Sequence, residues 1–320
     1  MNKRALGNTG LSISPLVFGA NVFGWTADKA RSFELLDRLA DAGLETLDTA
    51  DVYSTWVPGH QGGESETVIG EWLKSRGGRD RVVLITKVGM EMAPDRKGLS
   101  PAWIERAVED SLRRLQTDHI DLYFSHVFDD TVPVEDTLRA YERLIAAGKV
   151  RAIGASNHSA EQLASALKAA KDGGLPRYEV LQPHYNLYNR DTYDGALRDL
   201  AIAEGLGVIT YFSLASGFLS GKYRSTDDLQ KSPRGSWIAD YLNPRGLAIL
   251  AALDEVAAAH DATPAEVALA WLIAREGVTA PIASATTLDQ LEGLIRATRL
   301  SLPAADINRL NQASDLPQGA

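Results

Sequence analysis

The sequence predicts an α/β protein that forms a (β/α)8 TIM barrel with an N-terminal β-hairpin and a long loop after strand 7. Short apolar segments rich in β-branched residues alternate with longer amphipathic segments, and eight such pairs follow one another along the 320 residues. An open dinucleotide-binding sheet would carry a G-x-G-x-x-G motif after its first strand, and residues 19–24 do not match it. Eight units without that motif favour the closed barrel.

The elements can be placed in order along the chain. Residues 4–6 and 11–13 flank the turn Asn8-Thr9-Gly10 as a hairpin, and residues 16–19 follow as the first barrel strand. The other seven strands are predicted at residues 45–49, 82–87, 120–125, 150–155, 180–182, 208–212 and 279–282. The helices are predicted to begin near Asp28, Glu64, Ser100, Val134, Ala160, Asp194, Pro244 and Leu288.

Local signals support several of these boundaries. Gly43 is suited to end the first helix, because glycine readily adopts the left-handed conformation found just after helices. Ser100 and Pro101 supply a cap and a first-turn proline for the third helix. Residues 82–85 are apolar on both faces, as a strand covered on both sides requires.

No compositional shift or Pro/Gly/Ser-rich linker divides the chain, so residues 1–320 are predicted to form a single domain. Three irregular segments interrupt the regular alternation, at residues 53–63, 89–99 and 213–243. Long loops in a compact domain usually have a function. We therefore expect these segments to take part in binding.

Composition excludes several classes of protein. The 33 basic and 42 acidic side chains give a formal charge of −9, whereas a nucleic-acid binder needs a dense basic face. The uncharged stretch 205–221 is too short to span a membrane, and no apolar segment follows the first four residues as in a signal peptide. The absence of cysteine excludes disulfides, thiolate nucleophiles and Cys-ligated metals. We expect a cytoplasmic protein, either a monomer or a homo-oligomer.

Most of the predicted strands end in a polar residue or have one within a few positions of their last residue. In barrels of this kind the active site lies at the carboxyl ends of the strands. The residues at these ends are Asp48, Asp51, Tyr53, Lys87, His126, Ser156, Asn157, Gln182 and Tyr211. An acid, an amine, a phenol and an imidazole are therefore expected at one rim.

Lys87 closes an apolar strand, and its burial would be costly unless a carboxylate pairs with it. Asp48, on the neighbouring strand, is the natural partner. A charged Lys87 beside Tyr53 would lower the pKa of the phenol from about 10 towards the working range. Tyr53 is thus a candidate general acid towards a carbonyl oxygen, and His126 could orient or polarise the same oxygen. Such a site still needs a hydride donor, a nucleophile or a base.

The same residues allow other interpretations. Asp48 and Lys87 could form a purely structural salt bridge, and Tyr53 or His126 could simply pack. Lys87 could also act as a Schiff-base amine, although a partner such as Asp48 favours its charged form. No metal site is predicted, because the remaining histidines lack metal-ligand spacing. They are His60, His119, His158, His184 and His260.

Motifs in order along nearly the whole chain resemble those of the aldo-keto reductase family. The matching segments are residues 47–53 (LDTADVY), 63–66 (GESE), 85–87 (ITK), 120–123 (IDLY) with His126, 148–157 (GKVRAIGASN), 181–186 (LQPHYN) and 214–223 (LASGFLSGKY). The chain is most similar to the bacterial branch related to potassium-channel β subunits, although it keeps His126 where those subunits often have another residue.

This resemblance implies an NAD(P)H-dependent reductase of a small-molecule carbonyl substrate, with the tetrad Asp48, Tyr53, Lys87 and His126. It also implies that Tyr53 protonates the carbonyl oxygen as hydride arrives from the nicotinamide. The cofactor-binding residues that it implies are Ser156, Asn157 and Gln182 for the carboxamide, Tyr211 for stacking on the nicotinamide, and Ser213, Leu214, Ala215, Gly217, Lys222 and Arg234 in the loop after strand 7 for the pyrophosphate.

The last predicted strand departs from the family pattern. Family members often have a basic residue where Ser284 or Thr286 stands, to pair with the 2′-phosphate of NADP, and here Gln290 is the only longer polar side chain. Without charge assistance a phosphate is held less strongly. NADP is therefore the expected cofactor with NAD also possible, and we expect Arg234 or Lys222 to assist NADP binding.

The candidate walls of the substrate site are Trp56 in the loop after strand 2, Phe128 after His126, and Asn21 and Trp25 after strand 1. They indicate no substrate beyond an aldehyde or ketone of small to medium size. Two other functions remain open at this stage. One is a cofactor-binding regulatory module of the channel-β-subunit type, and the other is a Schiff-base aldolase that uses Lys87.

Overall fold

The computed structural model describes residues 2–231 and 235–315, and eight parallel strands of this part close into a barrel. In chain order the strands are β1 (Arg4–Ala5), β2 (Ser12–Ile13), β3 (Val17–Gly19), β4 (Thr46–Asp48), β5 (Val83–Val88), β6 (Ile120–Ser125), β7 (Val150–Ser156), β8 (Val180–Gln182), β9 (Gly207–Thr210) and β10 (Ala280–Ala283). The order around the barrel runs from β3 to β10, which pairs with β3 again, and β1 pairs antiparallel with β2. The predicted TIM barrel and hairpin are confirmed, whereas the single-domain assignment stays a prediction.

Helices cover the outside of the barrel. They are α1 (Lys29–Ala42), α2 (Glu64–Arg76), α3 (Pro101–Leu115), α4 (Val134–Ala146), α5 (Ala160–Gly173), α6 (Ala196–Ala203), α7 (Pro244–Ala259), α8 (Pro264–Ala274), α9 (Leu288–Ala297) and α10 (Ala304–Ser314). The predicted caps are present. Ser100 accepts a hydrogen bond from the Trp103 N–H, and Gly43 ends α1 with a φ of 73°.

The sequence analysis missed two helices, α8 and α10. It placed the seventh barrel helix at Pro244, but α8 packs against β10, while α7 packs on α8 and α10. Residues 266–272 are all buried and all but Glu266 are apolar, so α8 has no amphipathic period to detect. The helix that begins at Pro244 therefore belongs to an additional outer layer.

The hairpin lies at the amino-terminal end of the barrel and fills its interior there. Leu6, Leu11 and Ile13 are buried in one cluster with inward-facing residues of the barrel strands, such as Val17 and Ile85. Gly7 packs so closely that an added Cβ would lie 2.6 Å from the backbone nitrogen of Gly207. The hairpin thus closes the end of the barrel opposite to the candidate site.

The strand register brings the polar strand ends to one rim. Asp48 pairs with Ile85, two residues before Lys87, and Lys87 pairs with Phe124, two residues before His126. On the next strands Ser156 pairs with Gln182. The predicted convergence of these residues on the carboxyl ends of the strands is confirmed.

The seventh barrel strand is shorter than predicted. β9 ends at Thr210, and Phe212 has a left-handed φ of 52°, which turns the chain out of the sheet. The long segment that follows contains short 3-10 turns at Ala215–Ser220, Thr226–Lys231 and Ala239–Tyr241. Within the two described ranges, no helix has the length and apolar character to cross a membrane.

Helices α2 and α3 cross in close contact at Gly70. A Cβ added there would lie 2.1 Å from the carbonyl oxygen of Arg114, which is backbone and cannot move aside. We expect Gly70→Ala to lower the free energy of unfolding by about 1–3 kcal/mol or more, measured by urea denaturation.

Gly293, in α9, provides the matched control. A Cβ there would meet its nearest atom at an ordinary 3.4 Å, so Gly293→Ala should raise stability by about 0.5–1 kcal/mol through helix propensity alone. Equal stability of the two variants would contradict the importance of the α2–α3 contact.

Candidate active site

The ammonium of Lys87 is fully buried and uses each of its three donors. Its Nζ donates to the Asp48 carboxylate at 2.7 Å, to the Thr49 carbonyl at 2.7 Å and to the Tyr53 hydroxyl at 3.3 Å. Asp48 ends β4, and Lys87 lies near the end of the adjacent β5, so the sheet itself places the two charges side by side. The predicted Asp48–Lys87 pair is therefore present, with the Tyr53 hydroxyl beside it.

Burial and the neighbouring charges together set the pKa values of Lys87 and Tyr53. Burial lowers the pKa of Lys87, but the attraction of Asp48 and Tyr53 outweighs it, and the pKa lies above its ordinary value. For Tyr53 the balance is the opposite of our expectation. Its surroundings raise the pKa by desolvation more than Lys87 lowers it. The prediction of a lowered Tyr53 pKa was wrong, because it ignored burial, and the side chain stays a neutral phenol at neutral pH.

His126 follows β6 and lies against Tyr53. Its backbone N–H donates to the Val88 carbonyl at 2.8 Å, and its ring is 6.0 Å from the Tyr53 ring in an edge-on arrangement. Burial and the nearby Lys87 charge hold the pKa of His126 well below its ordinary value. Its buried Nδ1 has no hydrogen-bond partner. A neutral imidazole beside the phenol is suited to orient a polar group of a bound substrate.

A chain of amide side chains continues from Asp48 across the rim. Gln182 Nε2 donates to the second Asp48 oxygen at 2.9 Å, and the Ser156 hydroxyl donates to the backbone carbonyl of Gln182 at 3.0 Å. Asn157 Nδ2 donates to the His126 carbonyl at 2.9 Å, and the Tyr211 hydroxyl donates to Asn157 Oδ1 at 2.6 Å. The structure thus brings Ser156, Asn157, Gln182 and Tyr211 together with the tetrad, as the sequence predicted.

Tyr211 presents a flat ring at this rim. The His184 ring stacks on it with ring centroids 5.3 Å apart and an interplanar angle of 20°. Next along the chain, Phe212 is 43% exposed. Tyr211 is thus held by a hydrogen bond at its hydroxyl and by a stacked ring.

The loop after β9 adopts left-handed conformations that suit an anion. Ala215, Ser216 and Gly217 have consecutive positive φ angles of 47°, 57° and 101°. A Cβ added at Gly217 would lie 3.7 Å from Lys222 Nζ, so this ammonium lies next to the turn. Left-handed turns of this kind beside a lysine are suited to a phosphate group.

Two neighbours in the same loop are also placed. The hydroxyl of Ser213 donates to the Thr210 carbonyl at 3.0 Å, and the Leu214 carbonyl accepts the Gly217 N–H at 2.8 Å. Both residues therefore help to shape the turn. Arg234, the second predicted cation, lies outside the described residues.

The end of β10 carries neutral polar groups with partners inside the protein. Ser284 donates to Asn21 Oδ1 at 2.8 Å. The Thr286 N–H and hydroxyl both donate to Gln290 Oε1, at 2.9 and 3.2 Å. The predicted residues are thus close together, and they form a neutral end to the candidate cofactor site.

Aromatic side chains from three loops line the mouth above Tyr53. The Trp56 ring lies 5.7 Å from the Tyr53 ring and 5.6 Å from the Trp25 ring, and Trp25 lies 6.3 Å from Trp237. Trp56 and Trp25 were predicted as walls. Trp237 was missed, because nothing in the sequence of its irregular loop indicates that the loop reaches across the barrel. Phe128, also a predicted wall, packs edge-on against His158 at 5.5 Å.

Two other contributors were given no role in the sequence analysis, although Asp51 was expected at this rim. The Thr49 backbone carbonyl, an acceptor for Lys87, carries no side-chain signal. Asp51 is buried with neither carboxylate oxygen hydrogen-bonded, and burial, reinforced by Glu66, raises its pKa well above the ordinary value. The described ranges contain no group of three or more His, Asp or Glu side chains suited to a metal ion.

Comparisons with known proteins agree on one family. A sequence model of the Aldo/keto reductase family matches residues 15–315. The chain is 35% identical to the Uncharacterized oxidoreductase YrpG of Bacillus subtilis, over 98% of this chain and 96% of that protein. It is 32% identical to Norsolorinic acid reductase stcV of Emericella nidulans, over 93% and 77%, respectively. It is 30% identical to the NADP(+) aldo-keto reductase yakc of Schizosaccharomyces pombe, over 92% and 85%.

The neutral buried Asp51 predicts a specific pH dependence of stability. As the pH rises above about 4, the unfolded chain loses the Asp51 proton while the native protein keeps it, so the wild type loses stability. Asp51→Asn removes this loss. We expect the variant to gain in Tm over the wild type progressively as the pH rises above about 4, followed by thermal denaturation. The exposed Asp130→Asn is the control, and a gain for Asp51→Asn that is independent of pH would contradict a protonated Asp51.

Proposed function

We propose, since the chain belongs to the aldo/keto reductase family, that it reduces the carbonyl group of an aldehyde or ketone to an alcohol with NADPH or NADH. The observation that carries this proposal is the buried ammonium of Lys87, held by Asp48 beside a neutral Tyr53 phenol. When bound, the nicotinamide cofactor supplies the hydride. Every other part of the reaction falls to side chains of this chain.

Tyr53 is the proposed general acid. Its raised pKa keeps the proton on the phenol until a carbonyl oxygen takes it. As the proton leaves, negative charge develops on the phenolate 3.3 Å from Lys87 Nζ, and the ammonium stabilises it. Asp48 keeps Lys87 charged throughout. The group thus holds a proton at neutral pH and still lowers the cost of releasing it.

His126 has a different proposed part. Its imidazole is neutral, so the ring does not compete with Tyr53 as a charged acid. Its buried Nδ1 lacks a protein partner. Placed edge-on to Tyr53, it can hold the carbonyl oxygen within reach of the phenol. We assign His126 to orientation and Tyr53 to proton transfer.

The donor set around the rim fits a dinucleotide cofactor. Ser156, Asn157 and Gln182 offer hydroxyl and amide groups that can pair with a carboxamide, and Tyr211 offers a flat ring for the nicotinamide. The left-handed turn at Ser216 and Gly217, with Lys222 beside it, suits the pyrophosphate. These assignments are supported by the contacts among the residues and are part of the proposal.

The substrate would enter between the aromatic side chains at the mouth. Trp25, Trp56 and Trp237 give this entrance an apolar wall directly above Tyr53. Such a wall favours carbonyl compounds with an apolar or aromatic body over small sugars. One relative bears the name of a reductase of norsolorinic acid, which is consistent with an organic carbonyl substrate.

The two alternatives have less support. A Schiff-base aldolase needs a neutral amine on Lys87, but all three of its donors are used and its pKa is raised. A regulatory module would be favoured by a large exposed apolar patch. The exposed aromatic residues Trp56, Phe212 and Trp237 instead lie around the site itself, where they would face a substrate.

The first test removes the proton of the proposed acid. We expect Tyr53→Phe to lose at least about 100-fold in kcat towards a panel of carbonyl compounds, because general acid catalysis contributes about that much. Cofactor binding, titrated by the fluorescence of NADPH, should remain as in the wild type, since no proposed cofactor contact is removed. Turnover by Tyr53→Phe at the wild-type rate would exclude Tyr53 as the acid. Covalent trapping of a substrate on Lys87 by borohydride would instead favour the aldolase.

The neutral end of the cofactor site predicts weak discrimination between the two cofactors. At Ser284 and Thr286 a 2′-phosphate would meet hydroxyl and amide groups that already bond within the protein, and none of Ser284, Thr286 and Gln290 supplies a positive charge. We expect kcat/KM for NADPH and for NADH to agree within about tenfold with the same carbonyl compound.

Two variants sharpen this measurement. Thr286→Arg should increase the preference for NADPH, because arginine pairs strongly with phosphate, whereas Thr286→Val should leave the ratio near the wild-type value. A thousand-fold preference of the wild type for NADPH would contradict the interpretation.

A further inference from the structure

We propose that Glu64 is a positioning residue that holds the loop carrying Tyr53 and Trp56, an inference that rests on the proposed function. Glu64 is the first residue of α2, and the loop of residues 53–63 runs from just after β4 to this point. The carboxylate of Glu64 accepts the backbone N–H groups of three loop residues. They are Gln61 at 2.7 Å, Gly62 at 3.0 Å and Ser54 at 3.2 Å.

These bonds join the two ends of the loop. Ser54 directly follows the proposed acid, whereas Gln61 and Gly62 lie at the far end. The Gly63 N–H also donates to the Tyr53 carbonyl at 2.8 Å, next to the carboxylate contacts. Both ends of the loop are therefore fixed at one point, and the Tyr53 backbone lies within it.

The carboxylate bonds to the loop rather than capping its own helix. A glutamate at the start of a helix is usually stabilising because it faces the free N–H groups of the first turn. Here all three accepted bonds come from residues that precede the helix. Bonds from backbone N–H groups to a carboxylate are stronger than those to neutral acceptors. The contribution of Glu64 thus falls on the geometry of the loop.

Glu64 also touches the loop after β3, which carries Trp25. Gly24, with a φ of 73°, packs so closely that an added Cβ would lie 3.2 Å from Glu64 Cβ. Trp25 in turn contacts Trp56, and Trp56 contacts Tyr53. The Cβ of Glu64 therefore lies beside the loop that carries Trp25, while its carboxylate holds the loop that carries Tyr53 and Trp56.

The test compares Glu64→Ala with Glu64→Gln and with a control glutamate. Glu161 is exposed in the first turn of α5, far along the chain from this loop, so Glu161→Ala controls for losing a helix-start carboxylate. We expect Glu64→Ala to lower kcat/KM by about 10- to 100-fold, as for a small misplacement of a catalytic group. Both a lower kcat, from Tyr53, and a higher KM, from Trp56, should contribute. Glu64→Gln keeps one acceptor oxygen and should lose less, and Glu161→Ala should match the wild type.

A second readout does not depend on activity. Hydrogen–deuterium exchange of the full chain should show faster exchange of the amides of Ser54, Gln61 and Gly62 in Glu64→Ala, and unchanged exchange in Glu161→Ala. The dissociation constant for NADPH should stay within about twofold of the wild type, because the proposed cofactor contacts lie on other strands.

The outcomes separate this inference from the proposed function. If the wild type reduces no carbonyl compound, the proposed function fails, and the exchange experiment still decides whether Glu64 orders the loop. Unchanged exchange in Glu64→Ala would overturn the inference. So would faster exchange with unchanged kcat/KM, since Glu64 would then stabilise the loop without positioning the acid. If Glu64→Ala does not fold, the same criteria apply to Glu64→Gln.

Discussion

The ammonium of Lys87 lies where water cannot reach it, and a charge in such a place persists only if its hydrogens find acceptors. Asp48, the Thr49 carbonyl and the Tyr53 hydroxyl supply them. The ends of β4 and β5 and the start of the next loop bring these acceptors to Lys87. After burial, this charge is the next largest influence on the pKa values of Tyr53 and His126, and its partner Asp48 accepts the amide of Gln182.

The parts of the fold and the site that follow from local rules could be predicted from the sequence. Strands that are buried on both faces can be recognised in the sequence as apolar runs. Their carboxyl ends must meet at one rim of a barrel. Asp48, Lys87 and Gln182 could be grouped for that reason, although they are far apart in the chain. Charge pairing then identified the partner of Lys87 before its position was known.

What could not be predicted depends on three-dimensional packing. The direction of the Tyr53 pKa is a balance between desolvation and Lys87, and the sequence does not give the degree of desolvation. Helix α8 has no polar face, so no periodicity reveals it. Trp237 reaches the mouth from an irregular loop, and only the folded path of that loop brings it to Trp25.

The hairpin at the closed end of the barrel bears on where the folding unit begins. The region matched by the family starts at residue 15, yet Leu6, Leu11 and Ile13 fill the barrel interior from outside that region. A recombinant fragment trimmed to the matched region would leave the inner faces of Val17 and Ile85 open to water. The folding unit of this barrel is therefore larger than the region that matches the family.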